Sequence, residues 1–347
     1  MVAYAGHLQA DGNIVIENNA VRPGGTSESA GGGGAYVDAD SSCYFSNGVV
    51  ISNNQAEYGG GFGVPNFGGS ALQWNIMENV KFTNNIAFKN AGGALFSVPT
   101  TLTGVVFQEN TAQQSGGGAV VASTTATIES CSFYDNKALT ENGGALLGNG
   151  QAVIEVVSST IERNTALSEG GGIIVSDSSA LTLTNTKVTQ CSSRFHGGGV
   201  CTRGNSVLIL RDDVSIRGCE SLLGMVCLSL SLSLSLAHTH AHTHTHTHMY
   251  TFMSVCVQGG GLLAGGLRVT VTVAHSKRLV IEDNRAARGG GMTFMTSVTF
   301  EGAGTTVLEE NWAKEQAGGL YGFSSYARMS ISPDHSVVIQ VCICACT

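Results

Sequence analysis

The residues here that could do chemistry are paired carboxylates, clustered histidines and a few cysteines. Asp212 and Asp213, within Leu210-Arg-Asp-Asp-Val214, are an adjacent acidic pair inside a repeat unit. Glycoside hydrolysis needs two carboxylates facing one groove. Adjacent strand residues point to opposite faces, so at most one of this pair would serve a given surface. Glu309 and Glu310 stand beside a repeat position and read as solvated surface. Arg194 and His196 lie together near a bend, but no acidic cluster that could hold calcium accompanies them in the sequence. His238 to His248 alternates histidine with threonine or alanine, which on a strand would line one face with imidazoles. A defined metal site also needs fixed ligand geometry with outer hydrogen bonds, and a uniform tract supplies neither. The remaining cysteines of interest are Cys43, Cys131, Cys191, Cys201 and Cys219, with no metal-like spacing. The expectation is therefore no catalytic residue, no cofactor-binding residue, no metal ligand and no enzymatic activity.

What could position such groups is set by composition and by repetition. The chain has 347 residues with 47 Gly, 4 Pro, 12% charged and 42% hydrophobic residues. That is too apolar and too weakly charged for disorder, and glycine does not recur every third residue as in collagen. The net charge of −8 and the absence of any basic run argue against nucleic acid. No apolar run suits a membrane-spanning helix, and Met1 to His7 lacks the features of a signal peptide.

One module recurs ten times. Its anchors are Asn18, Asn54, Asn85, Asn110, Asn136, Asn164, Cys191, Cys219, Asn284 and Asn311. An apolar residue stands three places before each (Val15, Ile51, Phe82, Phe107 and so on), and Ala or Ser stands two places after. Glycine clusters such as Gly116 to Gly118 and Gly170 to Gly172 follow the anchors, and short alternating or apolar runs follow those. Alternation excludes a helical repeat of this length. The pattern predicts an all-β, right-handed parallel β-helix of about ten rungs, with about 25–31 residues per rung in two or three strands. At about 4.8 Å per rung the rod is roughly 45 Å long. Glycine would supply the corners, the apolar residue would fill the interior, and the anchor asparagines would tolerate αL and stack. Cys191 and Cys219 would occupy one slot of successive rungs. Two buried free thiols fit in-register side chains better than a disulfide, which stays open as the alternative.

The repeat resembles that of the chlamydial polymorphic outer-membrane proteins. The matching residues are Gly92-Gly-Ala-Leu95, Gly117-Gly-Ala-Val120 and Gly143-Gly-Ala-Leu146, alternating with Phe82-Thr-Asn-Asn85, Phe107-Gln-Glu-Asn110 and Phe133-Tyr-Asp-Asn136. The resemblance implies a pectin-lyase-like β-helix and surface adhesion. The chain departs from it by carrying cysteine at 191 and 219 and by having no carboxy-terminal barrel segment after the repeats.

Residues 225–258 break the pattern. Leu-Ser, His-Thr and Val-Cys-Val alternations are what CT, CA and GT dinucleotide repeats encode, so this insert reads as a translated intron from a eukaryotic source. Val341 to Thr347 has the same flavour and reads as an artefactual tail. The expected organisation is thus 1–224 β-helix rungs, 225–258 insert, 259–340 continuation of the same β-helix, and 341–347 tail. The expected function is a non-enzymatic structural or adhesive repeat protein, extracellular or at the cell surface. It would present flat polar faces to glycans or surface proteins, as a fragment of a larger surface protein. The alternative is a carbohydrate-active enzyme, a polysaccharide lyase or glycoside hydrolase.

Overall fold

The computed structural model describes residues 2–3, 7–21, 31–38, 40–64, 74–221, 262–264, 268–272, 277–294, 297–322, 327–340 and 342–344. All regular structure among them is β. Strands pair in parallel into four sheets, three of eleven strands and one of ten, each joining equivalent segments of successive rungs. We call these sheets A to D in the order the chain visits them within a rung.

In the rung that begins at Gly117, the sheet A strand is Ala119–Ala122, the sheet B strand Thr125–Glu129, the sheet C strand Ser132–Tyr134 and the sheet D strand Lys137–Ala138. A rung therefore holds four strands rather than two or three. The two missed features are short. The D strand is only the anchor's own two following residues, and sheets B and C are separated by little more than a single αL residue such as Ser130, Ser158 or Asn185. Neither leaves a break in the hydrophobic alternation.

The interior is built as the repeat predicts. Phe82, Phe107 and Phe133 are fully buried and stack face to face, with ring centroids 4.9 and 4.6 Å apart. Ile161, Val188, Ile216, Ile281 and Leu308 continue that column. Strands of sheet B alternate cleanly: in Thr125–Glu129, Ala126 and Ile128 are buried while Thr125, Thr127 and Glu129 are exposed.

The anchors differ from expectation in two respects. The αL residue is the one before the anchor, whatever its type: Asn53, Asn84, Glu109, Asp135, Arg163 and Gln190 all have positive φ. The anchor asparagine itself is used for its side chain. Asn85 Nδ2 donates to Asn110 Oδ1 at 3.0 Å, Asn110 to Asn136 at 3.0 Å and Asn136 to Asn164 at 3.0 Å, a buried amide ladder along the rod. The first anchor is also one residue off. Ile16 pairs with Ile51, so Asn19 rather than Asn18 joins the ladder and donates to Asn54 Oδ1 at 3.0 Å. Asn18, with φ 59°, is the preceding αL residue. Two neighbouring asparagines made the register ambiguous by sequence alone.

Glycine serves two purposes at the corner from sheet D to sheet A. Gly170 has φ +60°, and a Cβ there would meet the Ile173 carbonyl oxygen at 2.6 Å. Gly171 has an ordinary φ, but its Cβ would lie 2.2 Å from the Ser192 oxygen of the next rung. The corner folds over the outer face of sheet A and buries a second, smaller apolar cluster of Leu95, Val120, Leu147, Ile174 and Cys201.

The insert 225–258 lies outside the described residues. On either side of it the rungs stack directly: Val200 pairs with Leu262, Ser215 with Val280 and Glu220 with Arg285. Cys342, in the segment read as a tail, takes the next ladder position, 4.0 Å from Asn311 Nδ2.

Candidate functional site

The acidic pairs lie at the ends of strands. Asp212 and Asp213 sit in the turn after the strand Val207–Arg211, not on it, with Asp212 in αL at φ 57°. Asp213 accepts from Lys277 Nζ at 2.9 Å and from the Arg278 amide at 3.0 Å, which holds its carboxyl below the usual value. Glu310 is another αL bend residue. Arg194 lies over the Phe195 ring, 5.5 Å from its centroid, and does not join His196. The His238–His248 tract lies outside the described residues. Cys191 and Cys219 are fully buried free thiols. Their Sγ atoms lie 3.7 Å from the Ile161 carbonyl and 3.8 Å from the Val188 carbonyl, and burial pushes the Cys219 thiol well up.

A buried ionisable cluster among the described residues was not expected. Glu169 is 4% exposed, with Oε2 3.1 Å from Arg203 Nε and 3.8 Å from Cys201 Sγ. His196, 3% exposed, brings Nε2 to 3.9 Å from Glu169 Oε1. Burial pushes the Glu169 carboxyl up, against the pull of the Arg203 charge. Burial first, and the Arg203 charge second, push His196 down to about 4. The imidazole is therefore neutral, and 3.9 Å is too long for a hydrogen bond, so this contact is not an ion pair. The working pair is Glu169 with Arg203.

A sequence signal for this cluster existed. Glu169 and His196 both stand five residues after their anchors, Asn164 and Cys191, immediately before a positive-φ glycine. They bridge in parallel one rung apart. Reading the side chains by slot rather than by local neighbour pairs His196 with Glu169 instead of Arg194. Chemically the cluster has little reach. Its carboxylate is buried, occupied by a guanidinium, and covered by the corner. Among the described residues no group of three His, Cys, Asp or Glu could hold a metal ion, and no helix is long and apolar enough to cross a membrane.

The open surface is of another kind. Outward residues of sheet B stand in register from rung to rung: Thr101 beside Thr127, Thr127 beside Glu155, Glu155 beside Thr182. Sheet C does the same with Gln108, Tyr134, Glu162 and Thr189. In-register spacing of about 4.8 Å turns each position into a column of outward side chains, mostly polar.

A family model described as the right-handed beta helix region matches residues 97–345. The chain belongs to the right-handed β-helix family. That match spans the described rungs from Ser97 onward, so the solenoid's parallel sheets are those of a right-handed β-helix. No curated protein and no solved structure matches the chain. Enzymes and non-enzymes share this β-helix fold, so membership leaves the activity to be argued from the surface.

Proposed function

We propose that this β-helix is a non-enzymatic structural or adhesive module, which presents the outer faces of sheets B and C to glycan or protein partners outside the cell. The observation that carries the reading is the register of the exposed columns. Thr101, Thr127, Glu155 and Thr182 repeat one outward position over four rungs, offering hydroxyls and carboxylates at a fixed spacing. A repeating polar grid suits a repeating or extended partner, whereas catalysis needs convergence on one point. The likeness of the Gly-Gly-Ala and Phe-x-x-Asn motifs to the repeats of chlamydial polymorphic outer-membrane proteins supports the same reading.

The competing reading is a pectin-lyase-like carbohydrate-active enzyme. One observation favours it: Glu129 and Glu155 open on the same face from neighbouring rungs. Both are exposed on an open sheet, without the enclosure that excludes water and distorts a sugar ring. A single experiment separates the two. The purified chain is passed over immobilised polysaccharides and cell-surface extracts, and the same preparations are assayed with calcium for new reducing ends or unsaturated products. Saturable binding without product formation is expected. Product release that is lost in Glu129→Gln or Glu155→Gln would overturn the proposal.

A further inference from the structure

The strands of sheet B from His7–Asp11 to Ala180–Thr184 contain no lysine or arginine, yet their outer face carries Asp11, Glu78, Glu129 and Glu155. The first three share one outward column. Asp11 pairs with Ser46, Glu78 with Thr103 and Thr103 with Glu129, while Ser46 and Glu78 directly follow the paired Phe45 and Met77. A carboxylate therefore recurs on every second rung, about 9.6 Å apart, with a hydroxyl between. Ser46 Oγ and Asn47 Nδ2 donate to Asp11 at 2.7 and 2.8 Å, and the Tyr44 hydroxyl donates to Glu78 at 3.1 Å. Among the described residues no ion pair engages these three acids.

The opposite flank of the same face carries Trp74, 60% exposed. It precedes Asn75, which pairs with Cys43 and Thr100, so its neighbours in the column are Ser42 and Pro99. Neither is large enough to cover an indole. Between Trp74 and the acids runs a middle column of Gln9, Tyr44, Ile76, Thr101 and Thr127, all uncharged. An aromatic flank facing a row of carboxylates suits a cation, and a row of fixed period suits a polymer.

We propose that this face binds a β-1,4-linked polymer of an amino sugar, laid along the rod over the middle column. This rests on the reading that the outer faces dock glycans, and names the glycan class of one of them. In such a chain each sugar is turned over relative to the last, so ammonium groups leave alternately by opposite edges. Those on one edge recur every second sugar, close to the two-rung period of Asp11, Glu78 and Glu129. Those on the other edge pass Trp74, whose indole takes a cation over its face. The C–H faces of the sugars then lie on Tyr44 and Ile76, and Thr101 and Thr127 meet their hydroxyls. The same carboxylates repel acidic polysaccharides. An extended basic peptide presents one side every second residue, about 6.8 Å apart, which does not match the acids.

Calorimetric titration of the full chain with a glucosamine hexamer tests this, at a mildly acidic pH that keeps the amines charged. Saturable binding is expected, weakening as salt screens the carboxylates. Trp74→Ala and Glu78→Gln should each weaken it about tenfold or more. Both positions lie on the surface, and unchanged melting would show that the variants fold. The N-acetylated hexamer, which lacks the charge, should bind about tenfold more weakly or worse, and polygalacturonate should not bind. A glucosamine hexamer that fails to bind, or that binds the Trp74→Ala chain equally well, would overturn the proposal. Polylysine bound more tightly than the hexamer would also overturn it, making the face a dock for basic protein. Other polysaccharides are titrated alongside. If they bind while the glucosamine hexamer does not, this proposal fails and the adhesive reading stands; if no glycan binds, its glycan arm fails as well.

Discussion

Asn164 Nδ2 lies 3.9 Å from Cys191 Sγ, at the point where the asparagine ladder running from Asn19 stops. In every earlier rung the next Oδ1 accepts twice, from the preceding side-chain amide and from the preceding anchor's backbone N–H, as Asn164 Oδ1 does from Asn136 Nδ2 and N at 3.0 Å each. Sulfur is a weak acceptor and serves the Asn164 backbone N–H poorly, while Asn164 Nδ2 donates instead to the Phe133 and Glu162 carbonyls at 2.9 and 3.0 Å. The thiol keeps the outgoing direction, toward the Ile161 carbonyl, but not the incoming one. The ladder resumes when Cys219 N donates to Asn284 Oδ1 at 2.9 Å.

Cys191→Asn should therefore stabilise the chain, by about 1 kcal/mol for the recovered hydrogen bond from the Asn164 backbone N–H. Adding Cys219→Asn should close the ladder from Asn19 to Asn311. Asn136→Ala is the opposite test. It strips partners from Asn110 N, Asn110 Nδ2, the Phe107 carbonyl and Asn164 Oδ1, and should cost about 2–4 kcal/mol. Thermal melts of the three variants decide the matter. A cysteine-to-asparagine change that lowers the midpoint would mean that the smaller thiol is required for packing.

The fold was legible because a solenoid repeats each constraint. Ten copies of an apolar residue, an anchor and a small residue average out local ambiguity, and the Phe82, Phe107 and Phe133 stack follows directly from that spacing. Where only one copy informs a position, the reading slipped. Asn18 and Asn19 are equally good anchors by type, and only pairing of Ile16 with Ile51 chooses between them. The buried cluster was hidden for a related reason. Its members come from positions 169, 196, 201 and 203, and their meeting depends on the parallel register of two rungs rather than on any local motif.

That cluster should give the chain two opposed pH responses. His196 falls from an ordinary value of 6.5 to about 4 on folding, so its contribution is full above pH 6.5 and is lost as pH falls toward 4. The whole shift corresponds to about 3 kcal/mol. Glu169 is raised above its ordinary 4.5, so its contribution is full below pH 4.5 and is lost as pH rises through the folded value. Between pH 4.5 and 6.5 the two slopes partly cancel. Glu169→Gln should make stability rise more steeply with pH across that window, and His196→Gln should make it rise less steeply or fall. Denaturant midpoints at half-unit intervals would show this. Variants whose slopes move in the same direction would refute the assignment of a neutral imidazole beside a raised carboxyl.

The last prediction concerns the insert, residues 225–258. The anchors Cys219 and Asn284 are separated by 65 residues, and removing 34 leaves 31, the spacing already seen between Asn54 and Asn85. The rungs on either side already share register, with Ser215 beside Val280, Ile216 beside Ile281 and Glu220 beside Arg285, so their stacking needs nothing from the insert. Shortening the connection also lowers the entropy lost in closing it, though only by about 0.6 kcal/mol for each halving of length. A chain lacking residues 225–258 should therefore fold with the same β spectrum and melt at the same temperature or a few degrees higher. Amplification from mature messenger RNA should yield the shorter reading frame. If the message retains the His-Thr tract and the deletion lowers the melting temperature, the tract belongs to the protein and contributes to its stability, and the intron reading fails.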